Sequence, residues 1–147
     1  MRRKCTSKTP QRHKVTFAWN ADDVLKVFKS LLDGGDPYKF LDMPLTNYAS
    51  ASYDSIKKNG KNAGFSMFAG YSYNERSFLS LGIVDPDIKT GDDVVLVWGE
   101  EGGGTKKATV ERHKQIEIRA VVSSVPYSKV VRETYEAGAA GWRAGQK

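Results

Sequence analysis

Residues 63–127 read AGFSMFAGYSYNERSFLSLGIVDPDIKTGDDVVLVWGEEGGGTKKATVERHKQIEIRAVVSSVPY. Short runs rich in Val, Ile, Leu, Phe and Trp alternate here with turn residues: a Gly-Tyr-Ser loop, Asp85-Pro86, an acidic Thr-Gly-Asp-Asp bend, a triple glycine and Pro126. Such content suits half-buried pleated surfaces. Strands are therefore predicted over 63–69, 77–84, 93–99 and 115–123, with 105–111 as a further strand folded back across Gly102, Gly103 and Gly104. Many short strands broken by turns at this spacing favour a barrel over a parallel sheet. The expectation is a mainly β (α+β) chain, a six-stranded antiparallel Greek-key-like barrel with an N-terminal helix and a C-terminal helix.

Upstream, residues 15–19 predict a strand, after which Asn20 can cap a helix whose first turn carries Asp22 and Asp23. Val24, Leu25, Val27, Phe28, Leu31 and Leu32 recur at the spacing of one buried helical face, and Gly34-Gly35 is its expected end. Residues 37–50 read as an extended connector, since Pro44 disfavours a central strand. Residues 51–56 predict a strand and Asn59-Gly60 a tight hairpin turn. Beyond Pro126, Val130, Val131, Thr134 and Tyr135 share one helical face, with Gly138 and Gly141 as its stop. The chain thus divides into a basic tail (1–14), a helix and connector leading into the barrel (15–62), a barrel core (63–127) and a C-terminal helix with a frayed end (128–147).

A chain of 147 residues can bury about 70% of its unfolded surface, enough for a core without a staple. Its 39% hydrophobic and 27% charged composition is that of ordinary globular proteins. The formal charge of +6 resides in residues 1–14, where Arg2, Arg3, Lys4, Lys8, Arg12 and Lys14 meet no acid; setting those six aside leaves 17 Lys and Arg against 17 Asp and Glu. A neutral remainder, and a tail without interleaved aromatics, argue against nucleic-acid binding. The single cysteine, Cys5, excludes an internal disulfide, and no apolar run approaches the ~20 residues of a membrane span. A cytoplasmic protein with no membrane partner is expected.

Motifs for catalysis are weak. Residues 100–107 (EEGGGTKK) lack the Gly-x-x-x-x-Gly-Lys-Ser/Thr order of a phosphate loop and read as a turn. Gly70-Tyr71-Ser72-Tyr73-Asn74 falls one glycine short of a nucleophile elbow, and His13 and His113, in a basic tail and a polar turn, supply no placed base. These histidines and Cys5 are too dispersed for a metal site, and the spacing of Asp85, Asp87, Asp92 and Asp93 does not match a calcium loop. The bend holding Tyr71, Tyr73, Asn74, Glu75 and Arg76 is the one candidate, because aromatic and Arg side chains favour interfaces and pocket mouths. Interdomain packing is preferred there over ligand binding.

The Gly-led first strand, the small-polar loop, Leu81-Gly82-Ile83-Val84, Gly91-Asp92-Asp93-Val94-Val95 and the terminal Pro126-Tyr127 together resemble the C-terminal barrel of the aminomethyltransferase family, the family of the glycine cleavage T-protein. The Tyr-Asn-Glu-Arg wording of the loop, VTFAWNADDV (15–24) and PLTNYASASYD (44–54) are closer to one branch, the tetrahydrofolate-dependent O-demethylases of vanillate- and syringate-like compounds. In that family most of the chemistry sits in a folate-binding region upstream of the barrel.

No motif of that region is matched, so the resemblance carries over no catalytic residue. It implies a stand-alone or truncated barrel of structural or accessory role, not an enzyme by itself and without a cofactor in isolation, tetrahydrofolate belonging to the full-length family. An independent binding or assembly module that has lost the ancestral chemistry, self-associating or weakly nucleic-acid binding through the basic tail, is the alternative. A separate folate-binding domain is one expected partner. A bared domain-facing surface predicts a homo-oligomer, which a clean monomer in light scattering contradicts.

Overall fold

A computed structural model describes residues 10–43, 53–104 and 110–144, with side chains as far as 138. The strands are β1 (His13–Trp19), β2 (Asp54–Lys58), β3 (Lys61–Ser72), β4 (Ser77–Val84), β5 (Asp93–Trp98) and β6 (Ile116–Ser123). They close into a barrel in the order β1-β4-β3-β2-β5-β6, and every neighbouring pair is antiparallel. β1 shuts the cylinder by pairing on one side with β4 and on the other with β6. The six-stranded antiparallel expectation is met, and the barrel draws in residues 13–19 and 54–58 as well as the 63–127 stretch. The predicted strand over 105–111 falls largely outside the described residues; Val110 and Glu111 themselves are not in a strand.

Alternation along each strand sends one set of side chains inward. Phe17, Trp19, Ile56, Phe78, Val84, Leu96, Trp98, Ile118 and Val122 make the buried core. Trp19 sits at its centre, with ring centroids 4.9 Å from Phe78 and 5.5 Å from Trp98. Its indole N–H donates to Ser80 Oγ at 2.9 Å, and Ser66 donates to the same oxygen at 2.7 Å, so these polar tips are paired, whereas the buried Thr16 hydroxyl has no partner among the described residues. Asn59 (φ 52) and Gly60 (φ 76) take the positive φ pair that joins β2 to β3 in a two-residue turn. A register shift in β3 between Met67 and Gly70 leaves Phe68 with a φ of 54 and exposed.

Helix α1 (Ala21–Ser30) lies against β6 and β4. Asn20 Oδ1 accepts the Asp23 amide at 3.1 Å, as an N-cap should. Of its apolar residues only Val24 and Val27 are buried, with Phe28 packed beside them, while Leu25 and Leu32 are 62% and 87% exposed. The expected six-residue apolar face is thus narrower: the helix stops at Ser30, ahead of Leu32, and Leu25 stands a hundred degrees from Val24 around the axis. Helix α2 (Lys129–Ala144) also departs from expectation, running through Gly138 and Gly141. Glycine in a helix interior costs only about 1 kcal/mol, and the flanking alanines favour continuation. Among the described residues no helix is long and apolar enough to cross a membrane.

Asp23 fastens α1 to the barrel. Its buried carboxylate accepts the Arg119 amide at 3.0 Å, Arg119 Nε at 2.8 Å, Arg119 Nη2 at 2.9 Å and Lys26 Nζ at 2.8 Å. The Arg119 guanidinium in particular holds this carboxyl well below the usual range. A depressed folded value means that the contribution is present above the unfolded pKa of about 4 and is lost as pH falls below it. In urea melts the wild type should lose stability steeply from about pH 4 downward and Asp23→Asn should lose less; parallel losses would show that Asp23 is not the acid-sensitive anchor.

Candidate functional site

The bend singled out in the sequence joins β3 to β4. Tyr71 lies at the end of β3, half-buried and packed on the core, whereas Tyr73, Asn74 and Arg76 are exposed, Tyr73 at 74%. The turn is held by its own backbone: the Arg76 amide donates to Tyr73 O at 3.3 Å and the Glu75 amide to Ser72 Oγ at 3.4 Å. Arg76 itself has a φ of 46. Glu75 and Arg76 form no ion pair, so the four candidates share a surface bend without converging on one point.

A different constellation converges at one end of the barrel. Asp54 opens β2, Trp98 ends β5, and Lys39 arrives from the connector, its side chain only 2% exposed. Trp98 Nε1 donates to Lys39 O at 2.9 Å, and the Lys39 ammonium lies 4.5 Å from the centroid of the Trp98 ring and 3.8 Å from Asp54 Oδ1. Burial raises the Asp54 carboxyl to about 6, against the opposing pull of Lys39. A cavity of about 560 Å³ opens over this pair, walled by Tyr53, Ser55, Gly99, Glu100 and Glu101 among others.

The wall after β5 is pinned by His113, which is buried rather than lying in an open polar turn. Its Nε2 accepts the Glu100 amide at 2.9 Å, so Nδ1, 2.7 Å from Glu111 O, carries the proton. Pro37 O accepts the Lys114 amide at 2.8 Å and ties the connector to the same wall. Among the described residues no group of His, Cys, Asp and Glu could hold a metal ion.

No protein-family model matches the chain. A syringate O-demethylase of Sphingobium sp. is 44% identical over 135 residues, which cover 91% of this chain. The chain is homologous to part of an O-demethylase. It spans 29% of that relative's length. The closed barrel and this identity bear out the resemblance to the C-terminal barrel of the O-demethylase branch.

Within this barrel, the Lys39–Asp54 pair escaped sequence reading, although a signal was present. Asp54 stands two residues before Ile56 and so shares its inward face, where a carboxylate is out of place. Lys39, between Tyr38 and Phe40, lies in a connector with no period to show which way it faces.

Proposed function

We propose that this chain is the barrel portion of a tetrahydrofolate-dependent O-demethylase, serving a structural or accessory role and closing one side of a pocket whose reacting groups come from another polypeptide segment. One observation carries the reading: a complete closed barrel that matches a syringate O-demethylase at 44% identity while spanning 29% of it. The separate folate-binding portion is its natural partner. Self-association is the second proposed partnership, supported by the exposed Val130, Val131 and Tyr135 on α2.

Neither the cavity over Asp54 nor the groove beside α1 fits tetrahydrofolate itself. Its glutamate carboxylates need free cations, yet the cavity over Asp54 is rimmed by Glu100 and Glu101, and Arg119, in the groove beside α1, is already committed to Asp23. Calorimetric titration of the isolated chain with tetrahydrofolate should therefore show no tight binding. Submicromolar affinity would move the folate site into this barrel and overturn the accessory role, with Tyr71, Tyr73 and Arg76 as the first residues to substitute.

A further inference from the structure

We propose that the mouth of the barrel at Asp54 is a binding site for a small organic cation, whose amidinium or ammonium N–H groups complete the hydrogen bonding of the Asp54 carboxylate. The proposal is independent of the O-demethylase reading and uses none of its chemistry.

Two buried carboxylates in the same barrel make the case by contrast. Asp23 is 3% exposed and receives four donors at 3.0 Å or less. Asp54 is 6% exposed, and its nearest donors are the Gly99 amide at 3.5 Å and Lys39 Nζ at 3.8 Å, both on Oδ1. A charge-assisted bond to carboxylate normally closes to about 2.7–2.9 Å. Among the described residues no donor reaches Asp54 Oδ2, yet it is not among the sealed polar atoms of the interior, so it opens onto the cavity that the residue lines. A buried charge left short of donors is costly to a fold, and an apolar residue beside Ile56 would serve the barrel better. A deficit of this kind at the floor of a small-molecule-sized cavity points to a ligand.

The walls decide its charge. Glu100 and Glu101 stand at the rim, and Tyr53, 71% exposed, adds an aromatic ring where a cation is favoured over an anion. Two lysines oppose them. Lys57 pairs with Glu117 at 3.6 Å, and Lys39 lies against the Trp98 ring and on the Oδ1 side of the carboxylate, leaving Oδ2 for the ligand. His113 faces Glu100 through its backbone amide and adds no donor to Asp54. A planar amidinium would present two parallel N–H groups to the carboxylate. Because Asp54 is held near 6 by burial, a cation that needs its ionised form binds more weakly as pH falls through that value.

Benzamidine is a suitable probe, titrated into the full chain and followed by amide chemical shifts. Saturable binding is expected at a Kd of about 1 mM or tighter near pH 7.5, weakening about tenfold near pH 5 as Asp54 takes up a proton. Benzoate should bind at least about tenfold less well, Asp54→Asn should lose at least about tenfold, and Glu133→Gln on α2 should change nothing. Should Asp54→Asn fail to fold, Glu100→Gln combined with Glu101→Gln at the rim is expected to weaken binding about threefold. Undiminished binding to a folded Asp54→Asn or to the rim double variant, no saturation by about 10 mM, or preference for benzoate would overturn the site. Acetyl-arginine amide binding as tightly as benzamidine would assign the cation to a protein side chain and overturn the small-molecule form of the proposal.

Discussion

Replacing Gly64 with alanine should destabilise the barrel by about 3 kcal/mol, enough to unfold a domain of ordinary stability at modest denaturant. A Cβ at this position would lie 2.1 Å from Ile83 O and 2.9 Å from Val84 Cα. Both are backbone atoms of β4, the strand that β3 pairs with through Gly64 and Val84, so no side-chain rotation relieves the clash. The two strands must part where β3 also pairs across a register shift with β2. Gly138→Ala is the fitting control, because nothing lies within 4 Å of its added methyl and alanine in a helix should gain about 0.5–1 kcal/mol. Urea midpoints read both. Equal midpoints for Gly64→Ala and wild type would mean that β3 and β4 do not approach as closely as described.

Gly64 also shows what a sequence conceals. The runs ending at Val84 and Trp98 and the Asn59-Gly60 turn declare strands because β-rich composition and turn chemistry are local properties. An antiparallel barrel of short strands followed from their spacing, but that residues 13–19 form one of its six strands did not. The closure of β1 between β4 and β6 is a pairing across more than a hundred residues for Phe17 and Val122, and no local pattern encodes it. A glycine in a strand says only that something comes close; that Gly64 meets the β4 backbone, and Gly82 the Phe17 ring and Phe65 O, requires the register.

The site was less legible than the fold. Tyr71, Tyr73, Asn74 and Arg76 drew attention as an aromatic and polar cluster adjacent in sequence, yet a tight bend turns such neighbours in different directions, and only Tyr71 packs on the core. Asp54 and Lys39 converge from a strand and a connector joined through an undescribed segment, their pairing set by the Trp98 indole that anchors Lys39 O. His113 looked solvated because Arg112 and Lys114 flank it, but the tautomer fixed by Glu100 and Glu111 makes it a buried pin of the wall. Local charge misleads wherever the chain crosses a barrel end, since one residue can face in while both neighbours face out.

The accessory reading makes its largest claim about activity, and complementation tests it most directly. A syringate O-demethylase lacking the segment matched by this chain would be co-expressed with the chain, and turnover of syringate with tetrahydrofolate measured for each alone and for the pair. On the proposed reading the truncated relative would expose the surface that a barrel covers, and this chain is 44% identical to the relative over 135 residues. The account predicts that the two co-purify and that demethylation occurs only in the pair; turnover by the chain alone, or a folded truncated partner that ignores it, would contradict the account.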